Sequence, residues 1–132
     1  MKRIYVPMFV ILAAVSAFGQ PNPDVLWSRF YGGEGGEQAN AIEQTADGGY
    51  IIAGWTTSFG EGNYDIYVIK TDSSGDTLWT RTYGGARADG ARSIRQTSDG
   101  GYIIAGWTSS FGAGGQDVYV SMNSRSSGLL GD

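Results

Sequence analysis

Apolar and polar residues alternate along this chain in short runs, and no useful length carries helical spacing. From Leu26 to Tyr31, Trp27 and Arg29 alternate with Leu26, Ser28 and Phe30 before the run stops at Gly32-Gly33. Aromatic residues on a period of two, closed by a glycine pair, predict a strand. Glu34 to Asn40 is predicted as a Gly-rich loop, and Ala41 to Thr45 as a short strand centred on Ile42 and Gln44. Asp47-Gly48-Gly49 then predicts a tight hairpin turn, because glycine reaches the positive φ such turns need and Asp bonds its own backbone ahead. Tyr50 to Thr57 is apolar almost throughout, as in a central strand covered on both faces. After a loop over Ser58 to Asn63, Asp65 to Thr71 is a third strand rich in β-branched and aromatic residues. The turn Asp72-Ser73-Ser74-Gly75-Asp76 leads to a fourth strand, Thr77 to Tyr83, which again ends in a glycine pair.

This unit repeats. Gly48-Gly49-Tyr50-Ile51-Ile52-Ala53-Gly54-Trp55-Thr56 returns as Gly100 to Thr108, at a spacing of 52 residues. Laid on itself at that offset from Leu26 to Val68, the chain shows 27 identities in 43 positions without a gap. A period of this length made of short strands between Gly and Asp turns is the sequence sign of a repeating β architecture. The expected fold is all-β, with four-stranded antiparallel propeller-type blades in two tandem 52-residue repeats. The second repeat is incomplete. It carries strands at Arg92 to Thr97, Tyr102 to Ser109 and Asp117 to Val120, and then Ser121-Met122-Asn123-Ser124 replaces the expected Ile-Lys-Thr-Asp. No second Leu-Trp-x-Arg follows, so residues 121–132 read as an irregular tail. Leu26 to Gly33 matches Leu78 to Gly85, which makes it an isolated fourth strand available to complete the unfinished blade. Two blades do not make a ring of the usual four to eight, so closure calls for other copies of the chain or for neighbouring blades of a longer one.

The signature Ile94-x-Gln96-Thr97-x-Asp99-Gly100-Gly101-Tyr102-Ile103-Ile104-Ala105-Gly106, with Ser110-Phe111-Gly112 and Asp117-x-Tyr119, resembles the tandem β-propeller repeats of secreted and surface bacterial proteins. Tyr67 to Trp79, with its Asp-Ser-Ser-Gly-Asp turn before Leu-Trp, also resembles blades of quinoprotein-like propellers. The resemblance runs from Leu26 to about Val120. It implies the fold, and it leaves binding, scaffolding and catalysis open, since propeller blades serve all three.

Composition adds a destination. Lys2 and Arg3, an apolar run from Ile4 to Val15 and the small-residue pattern Ala17-Phe18-Gly19 have the layout of a secretory signal peptide over residues 1–19. Residues 20–25, with Pro21 and Pro23, read as an extended linker into a repeat domain at 26–120. The expected location is secreted, periplasmic or cell-surface, with no membrane span in the mature form. Without the leader, 7 basic residues face 13 acidic ones. That surface repels phosphate backbones, so no nucleic-acid partner is expected.

Candidate chemistry is sparse. The chain has no His and no Cys, which excludes Ser-His-Asp and Cys-His nucleophilic sites and the usual zinc sets. Glu37 with Asp89, Asp47 with Asp99, and Asp65 with Asp117 recur as equivalent carboxylates, and glycoside hydrolysis needs two carboxylates about 5 to 10 Å apart. Turn chemistry already explains a repeated Asp beside Gly and is the preferred reading. Asp72 and Asp76 offer oxygen ligands for Ca²⁺, but Ser73 and Ser74 between them favour a hairpin turn. No catalytic, metal or cofactor site is therefore assigned. Trp55 and Trp107 read as packing residues, whereas Trp27, Arg29, Trp79 and Arg81 on a half-exposed strand are the candidate ligand-binding residues. The expected function is that of a secreted, non-enzymatic β-propeller repeat protein, or a fragment of one, that binds or scaffolds at the cell exterior. Carbohydrate or a surface protein is the expected partner. A lectin-like module closing its ring by oligomerisation, and a fragment of a quinoprotein-like or glycosidase enzyme, remain as alternatives.

Overall fold

The computed structural model describes residues 24–123. The expected signal peptide, most of the expected linker and residues 124–132 of the expected tail lie outside the described residues. Seven strands follow one another: β1 (Glu37–Gln44), β2 (Tyr50–Thr56), β3 (Asp65–Thr71), β4 (Thr77–Tyr83), β5 (Asp89–Gln96), β6 (Tyr102–Thr108) and β7 (Asp117–Asn123). They form a four-stranded antiparallel sheet, β1-β2-β3-β4, and a three-stranded one, β5-β6-β7. Among the described residues no helix is long and apolar enough to cross a membrane.

Local chemistry fixes the register of each hairpin. In the turn between β1 and β2, the Gly48 amide donates to the Thr45 carbonyl, and the Asp47 carboxylate accepts from the Thr45 hydroxyl and the Gly49 amide. Thr97, Asp99, Gly100 and Gly101 repeat the arrangement. Gly48 has φ 85°, which glycine adopts without strain. The ladder between β1 and β2 shifts between Ala39 and Ala41, and that between β5 and β6 shifts between Ala91 and Ser93, so each first strand carries a bulge at the same place.

The two sheets stack face to face. Ile51, Ala53, Ile66 and Val68 of the first meet Ala91, Ile94 and Ile104 of the second in one buried cluster. Strand alternation means that the two sheets use opposite faces for this contact. The first presents its odd β2 positions, 51 and 53, and the second its even β6 positions, 102 and 104. The remaining face of the first sheet holds Ile52, Tyr67 and Ile69, covered by Tyr31 from the N-terminal segment.

Four expectations need correction. β1 begins at Glu37 and β5 at Asp89, each several residues before the predicted start, because polar residues and a bulge disguise the first half of these strands. β7 continues through Asn123, whereas the tail was expected from Ser121; Ser121, Met122 and Asn123 pair with Ile104, Ile103 and Tyr102, and backbone pairing does not depend on the altered side chains. β2 and β6 stop at Thr56 and Thr108. Leu26 to Tyr31 is not in a ladder, since no neighbouring strand among the described residues offers it hydrogen bonds.

Candidate functional site

An open cleft of about 530 Å³ lies between the outer parts of the two sheets. β3 and β4 supply Lys70, Trp79 and Arg81 to one wall, and the turn before β6 and the first residue of β6 supply Asp99 and Tyr102 to the other. The register explains the grouping. Lys70 pairs with Trp79 and Val68 with Arg81, so these side chains share the face that looks toward the second sheet.

Trp79 meets Tyr102 edge-on at 5.9 Å between ring centroids, and the Arg81 guanidinium lies 5.9 Å from the Trp79 ring. Lys70 is 4% exposed, and its ammonium is committed to the Asp47 carboxylate at 3.0 Å and the Thr71 carbonyl at 2.7 Å. Asp47, held by the Thr45 hydroxyl first, then by the Gly49 amide and Lys70, has its carboxyl lowered to about 2. Burial, and after it the Asp47 charge, raises the Tyr102 phenol above its ordinary value. The cleft is therefore rimmed by an aromatic pair with a phenol that keeps its proton, two ionised carboxylates and an exposed guanidinium. Such a wall supplies ring-stacking surface beside several hydrogen-bond donors and acceptors.

Of the four predicted binding residues, Trp79 and Arg81 line this cleft, and Trp27 and Arg29 sit on the opposite face of the first sheet. Trp27 packs edge-on against Tyr50 at 5.6 Å, and Arg29 reaches Asp76 at 3.2 Å in an exposed ion pair. Trp27 on Tyr50 is the Trp79 on Tyr102 contact moved back by one repeat. The two pairs are not brought together. Lys70, Asp47 and Tyr102 escaped the sequence assignment. Asp47 was fully explained by its turn, and the signal for Lys70 was its replacement by Met122 in the second repeat.

The recurring carboxylates have another use. Asp89 accepts from the Thr108 and Ser110 hydroxyls and from the Gly85 amide, while Glu37 holds Thr56 and Gly33 in the first repeat in the same manner. They anchor the glycine pair before each sheet to the loop after its second strand. Asp72 accepts from the Ser74 and Asp76 amides, which makes the β3–β4 connection a hairpin turn closed by its own side chain.

Of the repeat-equivalent carboxylates, Asp47 and Asp99 line the same cleft from the two turns that hold them. Asp65 and Asp89, which are not equivalent positions, come together beside Gly84, buried at 2% and 1% exposure and away from the cleft lining. Burial first, then the Asp89 charge and Glu61, raises the Asp65 carboxyl; in Asp89 the effect of burial is outweighed by the hydroxyl and amide donors, which lower it. A raised carboxyl costs stability as pH climbs through its folded value, whereas a lowered one contributes stability that fades as pH falls below the ordinary value. Asp65→Asn, which mimics the protonated acid, is expected to raise the melting temperature at pH 7, with the gain shrinking toward pH 4. Thermal melts at the two pH values check this, and a gain that grows on acidification would contradict it.

Comparison with protein-family models and with curated proteins finds no match for this chain.

Proposed function

We propose that the chain is a secreted, non-enzymatic β-propeller repeat protein that binds a ligand at the cell exterior, with carbohydrate as the ligand class. The observation that carries this is the cleft beside Trp79 and Tyr102, where an aromatic pair stands next to Arg81, Asp47 and Asp99. Sugar rings present apolar faces edged by hydroxyls, and such a wall meets both needs. The propeller-type arrangement is supported by the meander order of the strands, the 52-residue repeat and the face-to-face stacking of successive sheets. The leader-like N-terminus supports export.

Glycan-array retention tests the ligand class. Trp79→Ala and, separately, Arg81→Ala are each expected to lower retention at least tenfold while the β circular dichroism spectrum stays unchanged. Arg81 is exposed, so its truncation spares the core even if Trp79→Ala loosens it. Retention equal to that of the parent in both variants, or no glycan retained by the parent, would reject the carbohydrate reading.

A further inference from the structure

The contact between the two sheets has a donor half and an acceptor half, and both halves are repeated at the two ends of the stack, the donor half exposed and the acceptor half covered in part by the N-terminal segment. On the donor face of the first sheet, Ile66, Val68 and Lys70 are 0%, 1% and 4% exposed because the second sheet covers them. Their equivalents one repeat on, Val118, Val120 and Met122, are 83%, 62% and 68% exposed. On the acceptor face of the second sheet Ile94 is 3% exposed, and its equivalent in the first sheet, Ile42, is 63% exposed. A heterologous contact whose halves face outward at opposite ends of one molecule accepts a further copy of that molecule.

The N-terminal segment says which occupant fits. On the acceptor face of the first sheet, Trp27 lies on Tyr50 and Tyr31 on the Ile52–Tyr67–Ile69 cluster. On the acceptor face of the second sheet, Trp79 lies on Tyr102, and Tyr83, like Tyr119, packs against the cluster containing Ile104. Leu26 to Tyr31 thus holds the place of a fourth strand without the third strand it would pair with. β7, meanwhile, is an edge strand with no fourth strand among the described residues.

We propose that copies of this chain associate head to tail, the second sheet of one copy seating its Val118–Val120–Met122 face on the Ile42 face of the next, whose Leu26–Tyr31 segment adds to β7 as the missing fourth strand. The inference stands on the repeated packing and is independent of what the cleft binds. The register of β3 with β4, carried across by one repeat, sets the pairing: Val118 opposite Tyr31, Val120 opposite Arg29 and Met122 opposite Trp27 of the neighbouring copy. Main-chain hydrogen bonds along an open edge and burial of an apolar row then act together, as in other strand additions.

Because the chain has no cysteine, the register is testable by cross-linking. Directly opposed residues of antiparallel strands lie about 4.5–5.5 Å apart, within disulfide range. Arg29 and Val120 are both exposed, so Arg29→Cys and Val120→Cys should each fold. Mixed and oxidised, the two single variants are expected to give a disulfide heterodimer at least fivefold above that from Leu26→Cys with Val120→Cys. Equal yields from the in-register and out-of-register pairs, or Arg29→Cys homodimers formed as readily as the heterodimer, would overturn the proposal. So would the absence of any covalent dimer, which would leave a following sheet of a longer chain or an unrelated partner as the occupant.

Discussion

Gly54→Ala is expected to destabilise the protein by more than about 3 kcal/mol, enough to abolish the folded state of a small domain. A Cβ on Gly54 would stand 1.7 Å from the Gln38 carbonyl oxygen, 2.7 Å from its carbon and 3.0 Å from the Ala39 Cα. All three obstacles are backbone, so no side chain can swing aside. The close approach occurs where the β1–β2 ladder shifts register, and a methyl group there would pry the bulge open and break the ladder around it. Gly106 repeats the geometry, with a Cβ position 2.0 Å from the Gly90 carbonyl oxygen. Gly48 is the control. It has φ 85° and nothing within 4 Å of its Cβ position, so Gly48→Ala pays only the conformational cost of about 1 kcal/mol. Urea titrations of the three variants check the order, and a Gly54→Ala midpoint equal to that of Gly48→Ala would show that β1 and β2 are not in this register.

The second large effect is a contrast between identical residues at equivalent positions. Val68 and Val120 both follow a tyrosine in the third strand of their repeats, and they are 1% and 62% exposed. Val68→Asp places a carboxylate among Ile51, Ile66 and Ile104, where the Arg81 guanidinium opposite it on β4 is exposed and lies over the Trp79 ring rather than in the cluster. Loss of at least about 3 kcal/mol is expected, from desolvation of the buried charge together with the lost packing. Val120→Asp leaves the fold of the single chain intact, within about 0.5 kcal/mol of the parent once dissociated. Its effect falls on association instead, because it charges the face proposed to meet the next copy. Unfolding of dilute protein followed by circular dichroism separates the two. Similar destabilisation by both variants would mean that the second sheet is covered within its own chain.

These two predictions also mark how much of the molecule was legible in the sequence. The strand content and the repeat could be read from Tyr50 to Tyr83, because β-branched and aromatic runs broken by Asp-Gly turns admit few other structures. The first half of β1 could not. Gln38, Ala39 and Asn40 carry no apolar alternation; Gln38 and Ala39 are in the ladder because Trp55 and Gly54 opposite them offer backbone partners, and Asn40 is the bulged residue that follows. Leu26 to Tyr31 failed in the other direction. Its side chains pack like those of a strand, but a ladder needs a neighbour, and a pattern within one segment cannot supply it. At the site, Trp79 and Arg81 were found from their alternation on an outer strand. Lys70 and Tyr102 were not, because they reach the cleft only through the stacking of one sheet on the next, a relation between residues far apart along the chain.

The stacking relation is the centre of this account, and the mass of the purified chain in solution, measured by light scattering beside that of Val120→Asp, tests it most directly. The parent is expected at a whole-number multiple of the chain mass, and the variant at the mass of a single chain with an unchanged β spectrum. A parent that stays at the single-chain mass at tens of micromolar, or a variant that associates as the parent does, would contradict the claim that the two ends of the stack are halves of the interface at its middle.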